Sequence, residues 1–90
     1  MKAYYLVVRE GTKWRDVYRL TAGQTISVGR APTNRIVLND EVCSRQHCEV
    51  FQAGDNWIVR DLNSRNGTLV NEEPINGDWV LQPGQVIRIG

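Results

Sequence analysis

The sequence predicts an all-β domain, an antiparallel β-sandwich built from short strands. Three observations carry that expectation. No window of about 11 residues or more places apolar side chains at i, i+3, i+4 and i+7 without a Gly, a Pro or an Asn-Asp break, so helical periodicity is absent. Short runs of β-forming residues recur instead roughly every ten positions, with turn residues between them. The length, 90 residues, fits one small domain with a modest core.

Each element follows from its local pattern. Ala3 to Arg9 is apolar on both faces (Tyr4, Leu6, Val8 and Tyr5, Val7), which predicts a first strand covered on both sides. After the turn Glu10-Gly11-Thr12, Trp14 to Leu20 alternates imperfectly, as an edge strand does. Thr25 to Arg30 alternates cleanly, with Ile26 and Val28 inward. By parity Arg30 would share that inward face, where an unpaired guanidinium is too costly. The strand is therefore expected to end there, with Arg30 at the rim and Gly29 marking a bulge or a close backbone approach. Arg35 to Leu38 is a short strand, and Cys48 to Phe51 another with Cys48 and Val50 inward. Ala53-Gly54-Asp55-Asn56 is a hairpin turn leading into Trp57 to Leu62. Thr68 to Val70, the turn Asn71-Glu72-Glu73-Pro74, the anchor Ile75, Trp79 to Leu81, the turn Gln82-Pro83-Gly84 and Gln85 to Ile89 complete the chain. The strand-then-Gly ending suggests a segment of a longer protein.

Composition excludes several classes. The net charge is +1, so no global field favours nucleic acid or an anionic membrane, and any basic site must be local. No apolar run approaches the roughly 20 residues that span a bilayer, and Met1-Lys2 leads into a strand rather than a signal sequence. The two cysteines, Cys43 and Cys48, have no second pair with which to complete a zinc site. Read as reduced thiols, they point to an intracellular, cytoplasmic compartment.

Three polar clusters carry more chemistry than connections require. They are Gly29-Arg30, Ser44-Arg45-Gln46-His47 and Asn63-Ser64-Arg65-Asn66-Gly67. A phosphomonoester brings about −1.5 to −2 charges and three acceptor oxygens. Guanidinium forks, a hydroxyl and backbone N–H groups on rigid elements suit it. Arg30, Ser44, Arg45 and Arg65 supply such groups from strand ends or loops. Alternate connections of a sandwich collect at one end, so these loops are expected to meet. Each charged hydrogen bond contributes roughly 1.5–3 kcal/mol. Two or three, less ordering costs, correspond to micromolar binding, about −8 kcal/mol.

The order and spacing of short motifs narrow this further. Val28-Gly29-Arg30, Asn34-x-Ile36-x-Leu38, Ser44-Arg45-x-His47, Asp61-Leu62-x-Ser64-x-Asn66-Gly67-Thr68, Val70-Asn71, Leu81-x-x-Gly84 and Val86-Ile87-x-Ile89-Gly90 resemble the forkhead-associated (FHA) domain over residues 5–90. The resemblance implies a sandwich of ten to eleven strands whose apical loops bind a phosphothreonine-containing protein or peptide. It implies phosphate contacts from Arg30 and Ser44, with Arg45 a further donor. It implies that Asn66 holds the peptide backbone, with Arg65 and Asn63 tuning specificity. Gly29 and Gly67 would be conformational, and His47 would tie the Ser44 loop to neighbouring backbone. Such domains usually carry a final strand after the position of Gly90. Without it, the first strand is expected to keep an unpaired edge through which two copies can dimerise. Uncharged Val42 would supply no acidic or basic preference.

Other classes fit less well. His47 lacks a nucleophile and an orienting acid at a recognisable spacing, so no enzyme activity, metal or cofactor is expected. Most aromatics fall at inward strand positions, which argues against a nucleic-acid-binding barrel. A phospho-independent interaction or self-association module is the alternative.

Overall fold

Alternation along the central strands decides the core. A computed structural model describes residues 3–10 and 13–89. The expected turn at Gly11-Thr12, the faces of Trp14 and Arg15, and the end of the motif at Gly90 lie outside the described residues or side chains. Ten strands are described: β1 (Tyr4–Glu10), β2 (Lys13–Leu20), β3 (Ile26–Gly29), β4 (Ile36–Val37), β5 (Cys48–Ala53), β6 (Asn56–Asp61), β7 (Thr68–Val70), β8 (Glu73–Pro74), β9 (Asp78–Leu81) and β10 (Ile87–Ile89). No helix occurs among the described residues.

A five-stranded sheet, ordered β4-β3-β5-β6-β9, forms one layer. Its inward residues Ile26, Val28, Ile36, Cys48, Val50, Trp57 and Val59 are buried and join Val70 of β7 in one cluster. The facing layer is a three-stranded sheet, β10-β7-β8, and a separate β1–β2 ribbon. Leu6, Tyr18, Leu20, Ile75, Ile87 and Ile89 pack from those elements and their connections against the same cluster. This is an all-β sandwich. The β5–β6 hairpin closes with Ala53 opposite Asn56, leaving Gly54 and Asp55 as its two turn residues; Gly54 takes a positive φ of 61°.

Three expectations need correction. β1 is not covered on both sides: Tyr5 is 57% and Val7 41% exposed, while Leu6 and its neighbours in β2 pack inward. The cause is topological. β1 belongs to a two-stranded ribbon lying over one face of the core, so its outward face meets no second layer. The sandwich is also not purely antiparallel, since β3 and β4 pair in parallel, Val28 with Ile36 and Gly29 with Val37. The loop over residues 30–35 carries the chain back to allow it. Finally, Asn71 to Pro74 is not all turn: Asn71 and Glu72 take φ of 48° and 67°, and Glu73–Pro74 returns as β8 beside β7.

Among the described residues β1 pairs only with β2, and β10 only with β7. Between them lies a cleft of about 590 Å³, lined by Tyr5, Leu6 and Val7 on one side and by Ile87 and Ile89 on the other.

Candidate functional site

Strand ends deliver three loops to one place, and main-chain hydrogen bonds fix them there. Arg30 follows the last residue of β3. Its N–H donates to the Ser44 carbonyl (2.9 Å), and the next N–H, of Ala31, donates to the Arg45 carbonyl (3.1 Å). The His47 N–H donates to the Val28 carbonyl (2.9 Å), and the Leu62 N–H to the His47 carbonyl (2.9 Å). The Ser44–His47 segment is thus held between the end of β3 and the start of the Leu62–Gly67 loop.

Gly29 is where the packing is tightest. A Cβ there would run into the Arg45 carbonyl and the Asn34 side-chain amide. The close backbone approach, rather than a bulge, explains the glycine. Asn34, buried, spans the same contact: its Nδ2 donates to the Ala31 carbonyl (2.9 Å) and the Arg45 carbonyl (2.7 Å). Asn34 was not singled out from sequence as a site residue. Its signal was its place in a short polar loop directly after Arg30, where a buried amide satisfies carbonyls that no strand can reach.

His47 is fully buried at the centre of this end. The Ser44 N–H donates to its Nδ1 (3.0 Å), so Nδ1 carries no proton and Nε2–H donates to the Gly67 carbonyl (2.8 Å). One ring therefore joins the Ser44 loop to the loop that follows β6. Gly67 itself needs a φ of 83°, a region that favours glycine.

The Leu62–Gly67 loop is braced from beneath by Asp61. Its Oδ1 accepts from the Ser64 hydroxyl (2.5 Å) and the buried Thr68 hydroxyl (2.7 Å), and its Oδ2 from the Ser64 N–H (3.1 Å). Burial alone would raise the Asp61 carboxyl, but the Ser64 and Thr68 hydrogen bonds outweigh it and hold the group below the usual carboxylate range. Asn63 adopts a φ of 56° and is exposed at the loop tip.

The polar groups of the three loops that reach solvent sit above this frame. The Ser44 hydroxyl oxygen accepts the Arg65 N–H (2.9 Å), which leaves its own O–H free to donate outward. Arg30 is exposed, and its Nε donates to the Cys43 carbonyl (3.2 Å), which orients the guanidinium and leaves its terminal nitrogens free. Arg45 and Arg65 are exposed as well, and among the described residues neither meets a carboxylate. Asn66 donates through Nδ2 to the Val42 carbonyl (2.8 Å), so its carbonyl oxygen and second amide hydrogen remain available. The structure thus gathers Arg30, Ser44, Arg45, Arg65 and Asn66 around one rim, with Gly29, His47 and Gly67 beneath it and Asn63 at its edge.

Both cysteines are free and buried. Burial and the neighbouring Asp40 raise the Cys43 thiol, against a pull from Arg30, and burial pushes Cys48 up to about 12. Among the described residues no group of three or more His, Cys, Asp or Glu is placed to hold a metal ion.

Comparison with known proteins gives a consistent result. Residues 26–90 match the family model described as the FHA domain. The oxoglutarate dehydrogenase inhibitor of Corynebacterium jeikeium is 41% identical over 85 residues, which is 94% of this chain but 58% of that protein. The crystal structure of an FHA domain from a Chlamydia trachomatis protein superposes with a TM-score of 0.82 at 32% identity, covering 96% of this chain and 86% of that one. A structure from a study of phosphothreonine-dependent FHA domain interactions gives a TM-score of 0.74 at 39% identity, over 83% of this chain and 76% of that one.

Proposed function

This chain belongs to the FHA domain family, and we propose that it binds a phosphothreonine-bearing segment of a protein through the rim around Ser44. Arg30 and Arg45 supply the guanidinium donors for the phosphate, and the Ser44 O–H a third contact. Asn66 receives the peptide backbone. Arg65 and Asn63 shape the choice of flanking residues. Gly29, His47 and Gly67 hold the loops that present these groups. The module acts by binding alone and works inside the cell, where its two free thiols stay reduced.

The observation that carries this reading is the Ser44 hydroxyl. Its oxygen accepts the Arg65 N–H, so its O–H remains free to donate at a rim where, among the described residues, Arg30, Arg45 and Arg65 pair with no carboxylate. Preorganised donors of this kind suit a doubly charged anion with three acceptor oxygens. The test is calorimetric titration with matched phosphothreonine, phosphoserine and unmodified peptides from a degenerate library. Micromolar binding confined to the phosphothreonine peptides is expected. Equal binding of all three would remove the proposal.

A second reading, self-association, has its own observation. The β1 edge away from β2 pairs with no described strand, and Tyr5 and Val7 beside it are exposed. We propose this edge as the place where two copies pair. Sedimentation equilibrium with and without a proline at position 7 checks it: a monomer at all concentrations would exclude it.

A further inference from the structure

The rim holds more cationic groups than one phosphate uses. Arg30 is oriented by its Nε bond to the Cys43 carbonyl and can engage two phosphate oxygens as a fork. The Ser44 hydroxyl and Arg45 take the third oxygen. Arg65 is left over. Its main-chain N–H is the group that fixes the Ser44 hydroxyl, so its side chain leaves the backbone one hydrogen bond from the phosphate position.

Three arginines away from the rim are neutralised or covered. Arg60 lies between Glu49 (3.6 Å) and Asp78 (2.7 Å) and stacks over Phe51 at 4.6 Å. Arg88 pairs with Glu72 (2.7 Å), and Arg35 lies over the Tyr18 ring at 5.3 Å. Arg65 has neither arrangement among the described residues. The carboxylate nearest to it in its own loop, Asp61, is turned down onto Ser64 and Thr68. Asp40 and Glu41 are exposed on the limb before Cys43, where Asp40 accepts the Val42 N–H (3.1 Å). Arg65 is therefore an exposed cation with no carboxylate partner among the described residues.

We propose that Arg65 selects ligands carrying a second negative charge on one flank of the phosphothreonine, either an Asp or Glu side chain or a second phosphate. The inference rests on the phosphothreonine reading above and adds a charge preference to it.

Fluorescence anisotropy with labelled peptides tests it. A phosphothreonine in an Ala/Ser background is compared with peptides in which Glu is walked through each nearby position on both sides, and with versions carrying phosphoserine at the same positions. On one flank Glu raises affinity about three- to fivefold, and phosphoserine raises it further, as an exposed ion pair would. Arg65→Gln brings the ratio of Glu-peptide to neutral-peptide affinity to one. Arg65→Glu inverts it, so that Lys at the same position becomes favourable. A walk that is flat for both Glu and phosphoserine on the unaltered protein, or a ratio unchanged in Arg65→Gln, overturns the proposal. A gain seen with phosphoserine but not Glu assigns the partner as doubly phosphorylated and keeps Arg65 as its reader. Loss of binding to every phosphothreonine peptide, neutral ones included, overturns the phosphothreonine reading instead, and the two failures are told apart by the neutral peptide alone.

Discussion

The rim around Ser44 and the ribbon of β1 and β2 are held in opposite ways. At the rim the loops bury only small apolar side chains, Ala31 and Cys43, among the described residues. Their positions come from the Arg30–Ser44, Ala31–Arg45 and His47–Val28 main-chain bonds, and from the side chains of Asn34, His47 and Asp61. The ribbon is held by its own ladder and by an inward row of Leu6, Tyr18 and Leu20, while Tyr5, Val7 and Val17 lie exposed. A loop that must present arginines to a ligand cannot use burial to fix itself, because the same burial would desolvate the cations. Directional bonds to buried polar anchors achieve the fixing and leave the charges in water. The ribbon has no such duty and tolerates a loose outer face.

That contrast can be broken most severely at Gly29. Gly29→Ala drives a methyl group into the Arg45 carbonyl and the Asn34 amide, and the carbonyl cannot move without releasing the Ala31 N–H. A loss of about 2–3 kcal/mol is expected, which lowers the melting temperature by roughly 10–20 °C in a domain of this size. Calorimetry checks it, and an unchanged melting temperature would mean that the close approach is not as described.

Asp61→Asn is expected to cost less, about 1–3 kcal/mol, because the amide keeps an acceptor but loses the charge. It also alters the pH profile. The folded Asp61 carboxyl lies below its unfolded value, so its contribution is fully present above the unfolded pKa of about 3.9 and is lost as pH falls through the folded one. Urea denaturation between pH 5 and 2 should show a shallower acid decline in Asp61→Asn than in the parent. Asp78, held low chiefly by its hydrogen bonds from Arg60, contributes in the same sense and remains in both proteins.

At the ribbon the same measurements should barely move. Val7→Thr replaces an exposed side chain paired across the ladder with Val17, and a change within about 0.5 kcal/mol is expected. A loss approaching that of Gly29→Ala would show that the outer face of β1 is covered in solution.

Legibility in the sequence followed the same division. Alternation exposed Ile26, Val28, Cys48 and Val50 as inward residues, because one buried face leaves a period-two trace. β1 misled because apolar residues on an outward face look the same as residues buried on it. β8 was hidden by its turn: Asn71 and Glu72 both take positive φ, and glutamate gives no sign of it. The parallel pairing of β4 depends on the path of the loop before it, which no local pattern records. Around the site, residue types and order pointed to Arg30, Ser44, Arg45, Arg65 and Asn66. Asn34 was missed as an anchor, because what makes it one is the nearness of the Arg45 carbonyl, eleven residues along the chain.

The central claim is that the rim binds phosphothreonine with its fold already fixed, so that the charge of Arg30 serves the ligand rather than stability. Titration of one phosphothreonine peptide into the parent protein and into Arg30→Ala, beside thermal unfolding of both, tests it most directly. Arg30 is exposed and, among the described residues, gives the fold one side-chain hydrogen bond, to the Cys43 carbonyl. The account predicts that affinity falls by about a hundredfold, as expected when a bidentate charged contact of roughly 3 kcal/mol is removed, while the melting temperature changes by no more than a few degrees. Retained affinity in Arg30→Ala, with the fold intact, would contradict it.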